Sequence, residues 1–135
     1  MSSIVRNSGN AARKSILILS ASQYLSGRPI SEVVKADWVK DKARDIADKF
    51  DNVGFTVDPT NVPETLECLQ KTIQGNAWDG VIFGWCTRGR VEFTVLFEKM
   101  VSVVFRQASV QPELKIMFCE GPQDLVQTTR RNFAV

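Results

Sequence analysis

Histidine is absent from the 135 residues. Its absence excludes Ser-His-Asp and Cys-His nucleophile systems, His-ligated zinc and imidazole general bases. Cysteine is sparse: Cys68, Cys86 and Cys119 are an odd number without CxxC spacing. That pattern speaks against a secreted disulfide framework and a structural zinc site, so no metal is expected and a reducing, cytoplasmic setting is. Neither sign of charge dominates, since 17 basic residues meet 15 acidic ones for a net charge of +2. So small an excess names neither a nucleic acid nor a membrane surface as partner. The longest apolar runs, such as residues 16–19 and 81–83, fall far short of the roughly 20 residues of a membrane-spanning helix. The phosphate-binding signatures GxGxxG and GxxxxGK[ST] are missing too, so no cofactor is expected.

What remains is the composition of an ordinary globular domain, with 44% hydrophobic and 24% charged residues. At this length about two thirds of the unfolded chain's surface can be buried without a cross-link. Residues 1–13 show no apolar periodicity and read as a flexible leader before a single domain over 14–135. The first 31 residues hold Arg6, Arg13, Lys14 and Arg28 but no acid. The early start of the first strand nevertheless leaves too little chain for a removable presequence of usual length.

Residues 15–20 (SILILS) form an unbroken β-branched and leucine run, the pattern of a parallel strand covered on both faces. Across 31–52 the residues Ala36, Val39, Ala43, Ile46, Ala47 and Phe50 recur at three- and four-residue steps, which predicts one long helix. A short strand at 55–57, a helix from near Glu64 to Gly75, and a strand over 78–85 follow. An apolar helix from Val91 to about Ala108, a strand at 114–119 and a last helix over 123–132 complete the reading. Four strand–helix units joined by right-handed crossovers predict an α/β fold: a small three-layer, doubly wound sandwich with a four-stranded parallel sheet in the order 2-1-3-4. The pattern resembles flavodoxin-like and Rossmann-like domains.

In such a sheet, ligands bind beyond the carboxyl ends of the strands, where neighbouring connections leave in opposite directions. That point lies between strands one and three, where the loops 20–28 and 86–90 meet beside 119–122. In the second loop, Thr87, Arg88, Gly89 and Arg90 are expected to bind an anion, two guanidinium groups standing ahead of a helix N-terminus. Ser20 and Ser22 in the first loop join them as ligand-binding residues. They are spread more loosely than the serine-rich phosphate loop of flavodoxins, and they stand where a receiver domain would need paired acids.

Three side chains carry the expected chemistry. Cys86 is the expected nucleophile or redox sensor, and strand alternation puts it on the same sheet face as Cys119. Glu120 is the one carboxylate of the three loops and the expected general acid or base; Tyr24, the chain's one tyrosine, is the expected proton or hydrogen-bond donor. The spacing of thiol phosphatases fails, because the sixth residue after Cys86 is Glu92 rather than arginine.

Two functions follow. One is a small-molecule-binding domain, in its catalytic form a cofactor-independent isomerase, lyase or hydrolase acting on an anionic organic substrate. The other is a non-catalytic homo-oligomer, a dimer first, assembled through apolar positions such as Val95 and Phe105 that fall outside the core-facing stripe.

Overall fold

The computed structural model describes residues 13–135. The expected leader lies outside them except for Arg13, whose guanidinium meets Asp51 at 3.1 Å. Four parallel strands form one sheet in the order β2-β1-β3-β4: β1 Lys14–Ser20, β2 Phe50–Thr56, β3 Gly80–Phe83 and β4 Lys115–Phe118. Among the described residues five α-helices lie between the strands and a sixth follows the last: α1 Ser22–Ser26, α2 Ile30–Trp38, α3 Val62–Gln74, α4 Trp85–Arg88, α5 Thr94–Val110 and α6 Leu125–Asn132. The expected sheet order and the small doubly wound α/β class both hold.

The unbroken apolar run of β1 has the expected cause, since from Ser15 to Ser20 every residue is buried. Alternate residues point to opposite faces. Leu17 and Leu19 join Val81 and Phe83 beneath side chains of α3 and α5, including Leu69 and Met100. Ile16 and Ile18 join Ile82 and Met117 beneath α2 and α6, with Val33, Leu125 and Val126.

The long helix expected over 31–52 is corrected. It stops at Trp38, two 3-10 turns follow at Asp41–Ala43 and Ala47–Lys49, and Phe50 begins β2. The strand ladder explains why: β2 pairs with β1 from Lys14↔Phe50 to Ser20↔Thr56. A helix running on to Asn52 would leave Lys14, Ser15 and Ile16 without their partners on that edge, at a cost for every backbone group stranded. A buried carboxylate also draws the chain out of the helix, because Lys40 and Lys42 fold back onto Asp37 at 3.3 and 2.7 Å. Ala43, Ile46 and Phe50 are buried as their spacing implied, whereas Val39 is 70% exposed. The periodicity thus marked burial without marking helix.

Near the site a second difference matters. Residues 85–88 form the short helix α4, and a 3-10 turn at Val91–Phe93 delays the start of α5 to Thr94. Arg88 therefore ends one helix instead of preceding the next. Among the described residues no helix is long and apolar enough to cross a membrane.

Candidate functional site

A cavity of about 200 Å³ opens at the carboxyl ends of β1, β3 and β4, at the crossover point between β1 and β3. Ile18 and Ser20 of β1 line it, with Ser22, Leu25, Ser26 and Arg28 from α1 and the turn after it, and Ile30 and Val33 of α2. Gly84, Trp85 and Cys86 enter from the end of β3, and Cys119, Gly121, Pro122 and Leu125 from the segment after β4.

The local sequence builds these walls in steps. The Ala21 carbonyl accepts the amides of Tyr24 and Leu25 and starts α1. Gly27 ends it at φ +72°, a left-handed conformation that costs glycine little. Pro29, extended at φ −60° and ψ 143°, then opens α2. The turn between them holds Arg28 on the cavity lining. At the floor, β3 passes β1 so closely that a Cβ on Gly84 would sit 2.8 Å from the Leu19 carbonyl oxygen. The buried Thr87 hydroxyl donates to the Gly84 carbonyl at 2.7 Å and fixes the bend into α4.

Cys86 is held by the end of β1. Its Sγ accepts the Ala21 amide at 3.3 Å and lies 3.4 Å from Ser20 Oγ, where either atom can donate. Cys119 lines the same cavity but is buried, and burial pushes its thiol above the usual range. Strand alternation does not relate the two, because β3 ends at Phe83 and Cys86 already lies in α4. Cys119 packs with Ile82 and Met117 on one face, whereas Cys86 borders the cluster on the other.

Two of the three serine hydroxyls on the wall have spent their protons on backbone carbonyls. Ser22 Oγ donates to the Arg28 carbonyl at 2.7 Å and Ser26 Oγ to the Ser22 carbonyl at 3.1 Å. Ser20 Oγ accepts the Ser22 amide at 3.1 Å. Each hydroxyl has one hydrogen to give, so Ser22 and Ser26 offer a ligand lone pairs only. Among the described residues Arg28 is the one charged residue on the lining; it is exposed and forms no salt bridge with an acid of those residues.

Ser20, Ser22 and Cys86 are thus brought together on the cavity wall, and the remaining expected residues stand elsewhere. Arg88 lies with its guanidinium 5.2 Å from the Trp85 ring and 5.8 Å from that of Phe118, and donates to the Cys119 carbonyl at 3.1 Å. It braces the outside of the wall. Arg90 pairs with Glu92 at 3.0 Å in solvent. Gly89 makes room for a neighbouring side chain, since a Cβ there would fall 2.4 Å from the Trp85 ring. Glu120 is exposed, and its amide donates to Asp124 Oδ2 at 2.9 Å. Tyr24 points away and is 48% exposed; loss of hydration and then the Asp58 carboxylate raise its phenol above the usual value. Asp58 itself is held below the usual carboxylate range, first by the Thr60 hydroxyl and amide.

Compared with known protein families, curated proteins and solved structures, the chain matches none. The site therefore rests on its own geometry. Among the described residues no group of three or more His, Cys, Asp or Glu side chains is placed to hold a metal ion. Sequence reasoning found the three loops but missed Arg28 and the apolar walls from Leu25, Ile30, Val33 and Leu125. A signal for Arg28 was present in Gly27-Arg28-Pro29, a left-handed stop followed directly by a helix-opening proline.

Proposed function

We propose that this protein is a small-molecule-binding α/β domain whose site is the cavity between β1 and β3. The observation that supports it is the placement of a mostly apolar hollow, with a few convergent polar groups, at the crossover point where such sheets hold ligands. The anion expected at Arg88 and Arg90 is reassigned to Arg28. Of the three expected catalytic groups Cys86 alone lines the cavity, so an isomerase, lyase or hydrolase step would run through its thiol, without Glu120 or Tyr24 as partner.

Filling the cavity tests the reading. Val33 lies on the wall and is nearly buried. Val33→Phe should cost about 1–3 kcal/mol through overpacking and abolish binding of small aromatic probes followed by ligand-observed NMR. Equal binding by wild type and a folded Val33→Phe variant would place the probe elsewhere and reject the site.

The second reading, self-association, is favoured by α5, where Val95 is 61% and Phe105 57% exposed. Large apolar side chains in solvent on one helix suit a subunit contact, and a symmetric dimer is the simplest closed form.

A further inference from the structure

We infer that the cavity takes a small monocarboxylate with a compact apolar body, its carboxylate gripped by Arg28. The inference rests on the reading of the cavity as the ligand site and adds the ligand's charge, size and orientation. Size comes first. An apolar protein cavity of about 150 Å³ accommodates benzene. The hollow here, at about 200 Å³, has room for one ring or a branched chain and a short acidic arm, and none for a nucleotide.

Charge comes next. One guanidinium fork satisfies one carboxylate, through two parallel N–H···O bonds. A phosphate monoester is near a dianion at neutral pH and brings three strong acceptor oxygens. It would need donors beyond Arg28, and two of the three serine hydroxyls on the lining are committed: the protons of Ser22 and Ser26 go to the carbonyls of Arg28 and Ser22, while the Ser20 hydroxyl lies against Cys86 Sγ. The Ala21 amide is likewise taken, by Cys86 Sγ. The amine of a cationic ligand would meet Arg28 itself, with no carboxylate on the lining to offset it. The apolar body then lies inward against Leu25, Ile30, Val33 and Leu125, and the acid points toward Arg28.

The test uses four probes sharing one ring: phenylacetate, its neutral isostere phenylacetamide, phenyl phosphate and 2-phenylethylamine. Affinities are read by ligand-observed NMR titration on the full chain. Wild type should hold phenylacetate about tenfold more tightly than phenylacetamide and more tightly than the other two, as expected for a charge-assisted fork. Arg28→Gln should reduce the acid-to-amide ratio to about one while phenylacetamide binding persists, and Arg28→Lys, which keeps the charge but loses the fork, should fall between. Arg90→Gln, which removes an exposed charge outside the cavity, should leave the ratio unchanged. Preference for the phosphate, the amine or the amide in wild type would overturn the monocarboxylate, as would a ratio that follows Arg90 instead of Arg28. In those cases binding that Val33→Phe abolishes would leave the cavity reading standing. Absence of all four probes from wild type would overturn both.

Discussion

Asp37 offers the most searching perturbation of the wall that carries the site. Its carboxylate is fully buried where α2 meets α6, with Oδ1 bound by Lys42 and Lys40 and Oδ2 accepting the Val126 amide at 3.0 Å. Val126 lies in the first turn of α6, where amides lack helical partners, so Asp37 caps that helix from across the molecule. The contact also ties α2, which supplies Ile30 and Val33 to the cavity, to α6, which supplies Leu125. Removing a cap costs about 1 kcal/mol. The ion pair adds to this, though less than a fully buried pair would, because both lysines retain access to water. Asp37→Ala should therefore lose about 2–3 kcal/mol in all, and Asp37→Asn, which keeps an acceptor for Val126, about half as much.

The pH dependence gives a second measure. Burial alone would raise the Asp37 carboxyl; the Lys42 bond, the Val126 amide and Lys40 outweigh it and hold the group below the ordinary carboxylate value. A depressed folded-state pKa supplies stability that is fully present above the unfolded-state value, near 3.9, and is lost as pH falls through the folded-state value. Urea unfolding of wild type and Asp37→Asn should thus show the full gap at pH 7 and a narrowing gap below about pH 4, as the wild-type carboxyl takes up its own proton. A variant as stable as wild type at pH 7, or a gap constant from pH 7 to pH 3, would refute the assignment.

Alkylation should rank the thiols: Cys68, exposed, reacts first, Cys86 second and Cys119 last, since burial both hides it and raises its pKa. A cavity ligand should slow Cys86 and spare Cys68 in peptide mapping, and equal protection of the two would count against ligand contact at Cys86. Gly84→Ala should destabilise by about 1–3 kcal/mol, because the new methyl meets the fixed Leu19 carbonyl oxygen, and a neutral result in chemical denaturation would show that the strand ends separate freely. Self-association predicts that Phe105→Glu lowers the mass seen by light scattering with helical signal retained; a wild type already monomeric at tens of micromolar removes that reading.

The sheet was legible because burial on both faces leaves a local mark. Residues 15–20 read as a central parallel strand, and in the structure all of them are buried. The segment before β2 was not legible, for a physical reason. Ala43, Ile46 and Phe50 face the core at intervals that imitate a helix, yet the first reaches it from a 3-10 turn, the second from the turn that follows it and the last from a strand. What decided the matter was long-range: the unpaired edge of β1 and the carboxylate of Asp37. Neither is visible in a window of eleven to eighteen residues.

The site was legible in position and much less so in its charged group. Fold topology alone brings the ends of β1 and β3 together, so Ser20, Ser22 and Cys86 could be named from strand order, although the alternation argued for Cys86 did not hold. The guanidinium could not, because the chain contains Gly-Arg twice near this place, at Gly27-Arg28 and Gly89-Arg90. As sequence the two are equivalent; as structure they solve different problems. Gly27 adopts φ +72° with open space around it, and the turn it permits leaves Arg28 on the cavity wall. Gly89 has φ −86°, which any residue can adopt, and is small because the Trp85 ring lies against it. Exchanging the glycines for alanine separates these roles. Gly27→Ala strains the backbone and should weaken binding of a carboxylate probe by displacing Arg28, at a modest stability cost of about 1 kcal/mol. Gly89→Ala should push Trp85 from its seat and disturb the Arg88 stack first, with the larger loss in unfolding free energy. A Gly27→Ala variant that binds phenylacetate as wild type does would show that the turn does not place Arg28, and would remove the local reason for choosing it over Arg90.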